Sequence, residues 1–321
     1  MTATNSVSLR ISVTDRCQLR CPYCMPPEGI AKCDHSEVLR FEEILRFVRV
    51  LNDRFALTKV HLTGGEPLLR PGILELVAML AAEGLGDLAM TTNGLQLAEM
   101  AGGLRRAGLD RVNVSLDSLD GGTYQRLSRG GSPLPVMAGI RAARDSGLDP
   151  VKLNAVILRG LNDAEVVPLA RWALDNGCHV RFLELMPIGC AKEIFQQRFV
   201  PATEIRAKLA EAFDLAPLAA RAGQSSRNFL ASDAVGRRGI VGLISPQTQP
   251  FCRECRRLRL TSTGRLVSCL ASGLGPSVRD VLRSDSADAD NDIERIVAAE
   301  LAGKCVRGDF TTDRAMPLVG G

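Results

Sequence analysis

Three thiols near the N-terminus define the chemistry open to this chain. Cys17, Cys21 and Cys24 stand in C-x3-C-x2-C spacing within the run Cys17-Gln18-Leu19-Arg20-Cys21-Pro22-Tyr23-Cys24. Cysteine sulfur binds four-iron, four-sulfur clusters, and three thiolates fill three corners, leaving one iron open to another ligand. Structural zinc is the alternative, but it favours paired C-x2-C or Cys/His sets. The nearest histidine is His35. Unligated core cysteines are the third reading.

A second set lies far downstream, where Cys252 and Cys255 are followed by Cys269 in C-x2-C-x13-C spacing. Zinc with three ligands stays open here. The chain's three histidines (His35, His61 and His179) lie well upstream, so a second cluster with an open iron is the preferred reading. Between these cysteines runs Arg256-Arg257-Leu258-Arg259-Leu260. Alone it would be a solvated face or a nucleic-acid patch. Flanked by cluster ligands, it is expected to face the same cavity, because the planar guanidinium fork suits phosphate oxygens. Cys33, Cys178, Cys190 and Cys305 read as ordinary small side chains.

The elements that must position these groups alternate strand and helix over residues 1–215, the pattern of a parallel α/β fold. Strands are expected at about 8–14, 59–63, 87–92, 111–117, 150–156 and 179–185. The clearest helix spans 37–51, with Phe41, Ile44, Leu45 and Val48 on one face and Asp34 or Ser36 as cap. Pro71-Gly72 opens the next helix. Along the strands apolar residues alternate with polar ones. Leu9 and Ile11 flank Arg10, Val60 lies between Lys59 and His61, and Leu153 lies between Lys152 and Asn154. Parallel sheets covered on both faces read instead as continuous apolar runs. The alternation therefore predicts a curved sheet or barrel with a polar lumen, the alternative being an open sheet with one wet face. Arg10, Lys59 and Lys152 would point inward toward an anionic ligand, since buried cations without partners are costly. Six strand–helix units give an incomplete barrel with a lateral opening. Residues 216–321 are expected as a smaller C-terminal region carrying the second cluster. Within it, 216–238 reads as a linker, 239–273 as a compact region, and 276–283 and 293–302 as helices.

The totals agree with this picture. The chain has 321 residues, 45% hydrophobic and 24% charged, with a net charge of +4. That charge is too small to argue for nucleic acid. No apolar run approaches the roughly 18–20 residues that span a bilayer. The N-terminus lacks a basic stretch followed by an apolar core, so no secretory signal is expected. Ten cysteines in such a chain point to metal or redox chemistry rather than disulfides, and to the cytoplasm.

The cysteine triplet with Tyr23 resembles the radical S-adenosylmethionine signature, and Thr63-Gly64-Gly65-Glu66-Pro67 resembles the GGE motif of that superfamily. A Gly-Gly turn alone would equally serve a tight strand-to-helix connection. The resemblance implies that Tyr23, Gly65, Glu66, Thr91, Ser115 and Met186 hold S-adenosylmethionine. Residues 9–25, 62–70, 91–94, 111–120, 152–154, 180–187 and 244–270 together resemble the GTP 3′,8-cyclase family of molybdenum cofactor biosynthesis. That likeness spans almost the whole chain. It implies two 4Fe-4S clusters, one on Cys17, Cys21 and Cys24 and one on Cys252, Cys255 and Cys269. It implies GTP contacts at Arg10, Lys59, Lys152, Arg181, Arg257 and Arg259, with Arg257 and Arg259 also catalytic. The terminal Gly320-Gly321 matches a family tail that reaches into the active site. Where His61 stands the family carries arginine, and where Arg256 stands it carries asparagine.

The implied reaction cleaves S-adenosylmethionine to a 5′-deoxyadenosyl radical, which removes the ribose 3′ hydrogen of GTP. The substrate radical then attacks C8 of guanine, giving 3′,8-cyclo-7,8-dihydro-GTP. The implied partners are an electron donor, the enzyme that converts this product to cyclic pyranopterin, and a second copy in a homodimer. Neither a membrane nor nucleic acid is expected. The rival readings are a peptide-modifying radical S-adenosylmethionine enzyme and a zinc-dependent nucleic-acid-binding protein.

Overall fold

A computed structural model describes residues 6–220, 223–252, 255–271, 273–304 and 312–319. The N-terminal strands are β1 (Val7–Ser12), β2 (Leu57–Thr63), β3 (Leu88–Thr92), β4 (Arg111–Ser115), β5 (Lys152–Val156) and β6 (His179–Leu183). Six helices fall between or beside them: α1 (Phe41–Arg54), α2 (Ile73–Ala81), α3 (Leu97–Arg106), α4 (Gly121–Ser128), α5 (Pro133–Asp145) and α6 (Val166–Asp175). Then come α7 (Ala191–Arg198), α8 (Ala202–Ala210), β7 (Asp214–Pro217), β8 (Arg227–Ser232) and β9 (Arg238–Ile244). The chain continues through β10 (Arg257–Leu260), β11 (Leu266–Val267), α9 (Arg279–Leu282) and α10 (Ala289–Ala302).

All these strands form one sheet, ordered β11-β10-β1-β2-β3-β4-β5-β6-β9-β8-β7. The six expected strands are consecutive and parallel. The later strands β7 to β11 extend both sides of them. β10 lies parallel to β1 and β9 parallel to β6, while β11, β8 and β7 add antiparallel edges.

The strand alternation sorts as anticipated. Leu9, Ile11, Val60, Leu62, Val112, Val114, Leu153, Val180, Phe182, Leu258 and Leu260 are fully buried in one core with the helices. At about 25 cal/mol per Å² this apolar face is the main stabilising term of the fold. It also leaves the intervening polar residues on the other face.

Two expectations change. The helix placed at 37–51 starts at Phe41, because Asp34 caps a separate 3₁₀ turn at His35–Glu37. Val38 and Leu39 are then extended and buried, and the Leu39 amide donates to the Ser262 carbonyl at 2.8 Å. A contact distant in sequence overrides the helical pattern there. The segment expected as a linker, 216–238, instead contributes the end of β7, all of β8 and the start of β9, a meander on the β6 side. Its alternation is carried by Phe229 and Ala231, and small residues hide a period of two. Pro217 sits on the outermost strand, where a missing N–H costs no ladder bond.

Candidate active site

The first cysteine loop leaves the C-terminal end of β1. The Cys24 and Met25 amides donate to the Cys21 carbonyl at 2.9 and 3.1 Å, turning the loop back on itself. The Arg20 amide donates to Ser128 at the end of α4 (2.9 Å), and the Arg20 guanidinium donates to the Cys17 carbonyl at 2.6 Å. The Tyr23 hydroxyl donates to Asp117 in a short hydrogen bond, and Asp117 also accepts the Val156 amide at 2.8 Å. Burial pushes the Asp117 carboxyl up to about 6 against these donors.

The glycine turn after β2 supports this loop from below. Gly65 and Glu66 amides donate to the Thr14 and Arg16 carbonyls, each at 2.7 Å. A Cβ on Gly65 would lie 2.6 Å from the Arg16 carbonyl carbon, so only glycine fits. Glu66 spends both oxygens on the protein, accepting from Leu68 N (3.1 Å), Thr92 Oγ1 (2.7 Å) and Asn93 N (2.6 Å). Burial lifts its carboxyl to about 7 despite them. Glu66 thereby shapes the strand ends around the loop.

The three thiols fit a cluster by their chemistry. Burial, then Asp117 and the Cys17 thiol, push Cys21 up to about 12. Burial and its neighbouring cysteines hold Cys24 well above the ordinary thiol range. Thiols this reluctant to ionise need a cationic metal, whose binding drives off their protons. The Asn93 amide approaches the Cys17 sulfur at 3.9 Å, an outer-shell donor. Among the described residues, no three His, Cys, Asp or Glu side chains group as ligands of a metal ion.

The C-terminal triplet sits in a different field. Although burial opposes it, the Lys304 ammonium, then the Arg257 amide and the Arg257 and Arg259 side chains, hold the Cys255 thiol below its ordinary value. Lys304 Nζ donates to the Arg257 carbonyl at 2.6 Å. The Cys255 amide donates to the Cys252 carbonyl at 3.1 Å, and the Ala271 amide to the Cys269 sulfur at 3.4 Å. Sequence reasoning passed over Lys304, because nothing local distinguishes it from a surface lysine.

The expected cations meet on the polar face. Burial, then Arg259, Arg257 and Arg181, push the Arg10 guanidinium well below its usual range. Burial and its cationic neighbours bring Arg181 and Arg259 each to about 9. Burial and then Arg111 pull Lys59 down to about 7, against Asp87 and together with Lys152 and Arg257. Asp87 pairs with Lys59 at 3.5 Å and with Arg111 at 2.8 Å. Asn113 Oδ1, Asn154 Oδ1 and Arg181 Nε are buried with no hydrogen-bond partner in the structure, and Asn154 is the register partner of Arg181. Buried orphans of this kind call for a ligand. Mutually repelling cations beside them call for an anionic one.

Two expected positions behave differently. His61 does lie on the polar face of the sheet, yet it is 5% exposed, and its Nε2 lies 2.6 Å from Thr91 Oγ1 and 3.2 Å from Asn113 Nδ2. Burial, Arg10 and Lys59 hold its imidazole well below the usual value, so it is neutral. Thr91, expected at the cofactor, therefore shares its hydroxyl with His61. Ser115 ends β4 as the register partner of Asn154, and Met186 packs beside Ile188, Leu270 and Val319.

The chain's tail crosses the same mouth. The Met316 amide donates to the Cys24 carbonyl at 3.1 Å, the Gly189 amide donates to Thr312 at 2.7 Å, and Val319 is fully buried. Gly320 and Gly321 lie outside the described residues, as does Cys305.

Comparisons with known proteins identify the family. Residues 11–173 match the radical SAM superfamily and residues 178–309 match Molybdenum Cofactor Synthesis C. The chain is 41% identical over 317 residues to a GTP 3′,8-cyclase of Moorella thermoacetica, covering 98% of this chain and 97% of that one. It is 46% identical over 281 residues to a GTP 3′,8-cyclase of Pelotomaculum thermopropionicum, covering 86% and 84%. In fold it resembles the crystal structure of Streptococcus suis SuiB bound to S-adenosylmethionine. The TM-score is 0.64 at 13% identity, over 97% of this chain and 72% of that one. Superfamily membership brings one 4Fe-4S cluster and S-adenosylmethionine, and no helix among the described residues is long and apolar enough to cross a membrane. With this identity over nearly its full length, the chain belongs to the GTP 3′,8-cyclase family of radical SAM enzymes.

Proposed function

We propose that this chain converts GTP to 3′,8-cyclo-7,8-dihydro-GTP, the first step of molybdenum cofactor biosynthesis, with a second 4Fe-4S cluster on Cys252, Cys255 and Cys269. The observation that carries the reading is the arrangement of cations. Arg10, Lys59, Arg181, Arg257 and Arg259 crowd one lumen, and two of them come from the strand that follows the second cysteine pair.

Cys17, Cys21 and Cys24 hold the first cluster, and Tyr23, Gly65, Glu66, Thr91, Ser115 and Met186 form the wall for S-adenosylmethionine. Asp117 and Glu66 act through that wall, fixing Tyr23 and the glycine turn. Held there, the cluster would supply one electron to S-adenosylmethionine, whose S–C5′ bond would break to give methionine and a 5′-deoxyadenosyl radical able to take the ribose 3′ hydrogen; closure of the C3′–C8 bond would then need one further electron and one proton to give the product. Arg10, Lys59, Lys152 and Arg181 neutralise the triphosphate and hold the ribose in place. Arg257 and Arg259, on β10 after the second cysteine pair, would stabilise negative charge during ring closure. The buried lumen keeps water and stray hydrogen donors from the radical. This reading places the protein in the cytoplasm, supplied by a one-electron donor and followed by the enzyme that converts the product to cyclic pyranopterin.

The test compares anaerobically reconstituted wild type with Cys17→Ser and Cys252→Ser. Each variant should lose about half the iron, one cluster of two. Cys17→Ser should abolish cleavage of S-adenosylmethionine, while Cys252→Ser should keep cleavage and lose cyclisation. If Cys252→Ser kept wild-type iron and product, the second cluster would be refuted.

A further inference from the structure

Glu184 is a buried carboxylate that the chemistry above does not use. It follows β6 by one residue and is 2% exposed. Its Oε1 accepts the Ala202 amide at 2.8 Å and the Thr248 hydroxyl in a short bond; its Oε2 accepts the Gln247 and Thr248 amides at 2.9 and 3.1 Å. Its own amide donates to the Ile244 carbonyl at 3.0 Å, continuing the β6–β9 pairing. Three backbone amides and a hydroxyl thus converge on one side chain. The Ala202 amide opens α8, so the helix dipole adds to the attraction.

The two ends of this clamp lead to the two halves of the site. Met186, proposed above for the cofactor wall, lies two residues after Glu184 and packs beside Ile188, Leu270 and Val319. Gln247 and Thr248 lie shortly before Cys252 in the segment that leaves β9. We infer that Glu184 is a positioning residue that sets where Cys252 stands relative to the cofactor wall, and so sets the distance from guanine-side contacts to the radical. The inference rests on the second-cluster reading above. A carboxylate is needed because glutamine offers one acceptor oxygen, and its NH2 would face two amide donors if turned toward Gln247 and Thr248. Replacement would leave those donors unpaired in a buried place, and the segment would shift to find water.

The experiment uses the full chain, reconstituted anaerobically, and reads cyclised GTP per 5′-deoxyadenosine released. Glu184→Gln should keep wild-type iron and cleavage of S-adenosylmethionine. Its coupling ratio should fall, by on the order of 100-fold for a displacement near 1 Å, and the spectrum of the second cluster should lose its response to added GTP. If Glu184→Gln does not fold, Thr248→Val carries the same test, since it removes only the hydroxyl donor; a several-fold loss of coupling is expected. An unchanged coupling ratio overturns the inference. So does loss of cleavage and cyclisation in equal proportion, the mark of a merely structural residue. Wild type with iron for one cluster alone would instead refute the second-cluster reading, which separates the two failures.

Discussion

Arg10 of β1 and Arg259 of β10 are register partners on adjacent parallel strands. Their side chains lie on the polar face of the sheet, although 248 residues separate them. Burial and then Arg259 push Arg10 well below its usual range, while burial and Arg257, against Cys255 and Cys269, bring Arg259 to about 9. Such a pair is unfavourable without an anion and becomes favourable when phosphate oxygens lie across it.

Arg259→Met should therefore move stability and binding in opposite directions. Without ligand the variant should melt about 2–4 °C higher for each kcal/mol of relieved repulsion and desolvation. Its affinity for GTP should fall by roughly 10- to 100-fold, the loss of one charge-assisted contact. Calorimetric melting and equilibrium binding check both, and a variant that is less stable without ligand would contradict the account.

Lys59 should couple GTP binding to proton uptake. Burial and neighbouring cations lower its folded-state value to about 7, so above that pH it is largely neutral and the cationic form is lost. A triphosphate favours the cation and pulls the proton back. Between about pH 6 and 8 affinity should decline, and at pH 8 binding should take up protons, visible as buffer-dependent heats. Lys59→Arg, which stays charged, should remove most of that uptake. Equal uptake in wild type and Lys59→Arg would rule out Lys59 as the source.

His61 should stay neutral at physiological pH. Its Nε2 faces the Thr91 hydroxyl and the Asn113 amide, so the ring accepts there and keeps its proton on Nδ1. Burial, Arg10, Lys59, Arg111 and Arg181 all oppose a charge. In a nuclear magnetic resonance titration of the ligand-free protein, His61 should show no protonation step near the ordinary ~6.5. A normal step there would make His61 a cation available to the triphosphate and contradict the account.

The positions of these groups were unequally legible in the sequence. The alternation of Leu9, Arg10 and Ile11, repeated along β2 and β5, announced both the buried face and the polar lumen, because the strand period is two. Cysteine spacing marked both cysteine sets. Pairing between distant segments was not legible: nothing in Arg257-Leu258-Arg259-Leu260 states that it lies beside β1. Glu184 looked like one charged residue at a strand end, and its four donors come from residues up to 64 positions away. Asp117 and Lys304 were hidden for the same reason. The meander at 214–244 escaped notice because Ala, Arg and Ser carry weak hydrophobic contrast.

Gly65→Ala tests how the glycine turn supports the cluster loop. The added Cβ would lie 2.6 Å from the Arg16 carbonyl carbon and 2.9 Å from the Asp15 oxygen, both backbone. One of the two segments must move, and the one bearing Cys17 is the loop. The variant should lose the iron bound at Cys17, Cys21 and Cys24, and with it cleavage of S-adenosylmethionine. Full iron retention would show that the turn and loop are independent.

The central claim is that GTP lies in this lumen with its ribose 3′ carbon facing the cofactor wall. GTP deuterated at the 3′ position, incubated anaerobically with S-adenosylmethionine, a reductant and the reconstituted protein, tests it most directly. The account predicts that 5′-deoxyadenosine carries the deuterium and accumulates together with 3′,8-cyclo-7,8-dihydro-GTP. Unlabelled 5′-deoxyadenosine, or cleavage of S-adenosylmethionine indifferent to GTP, would contradict it.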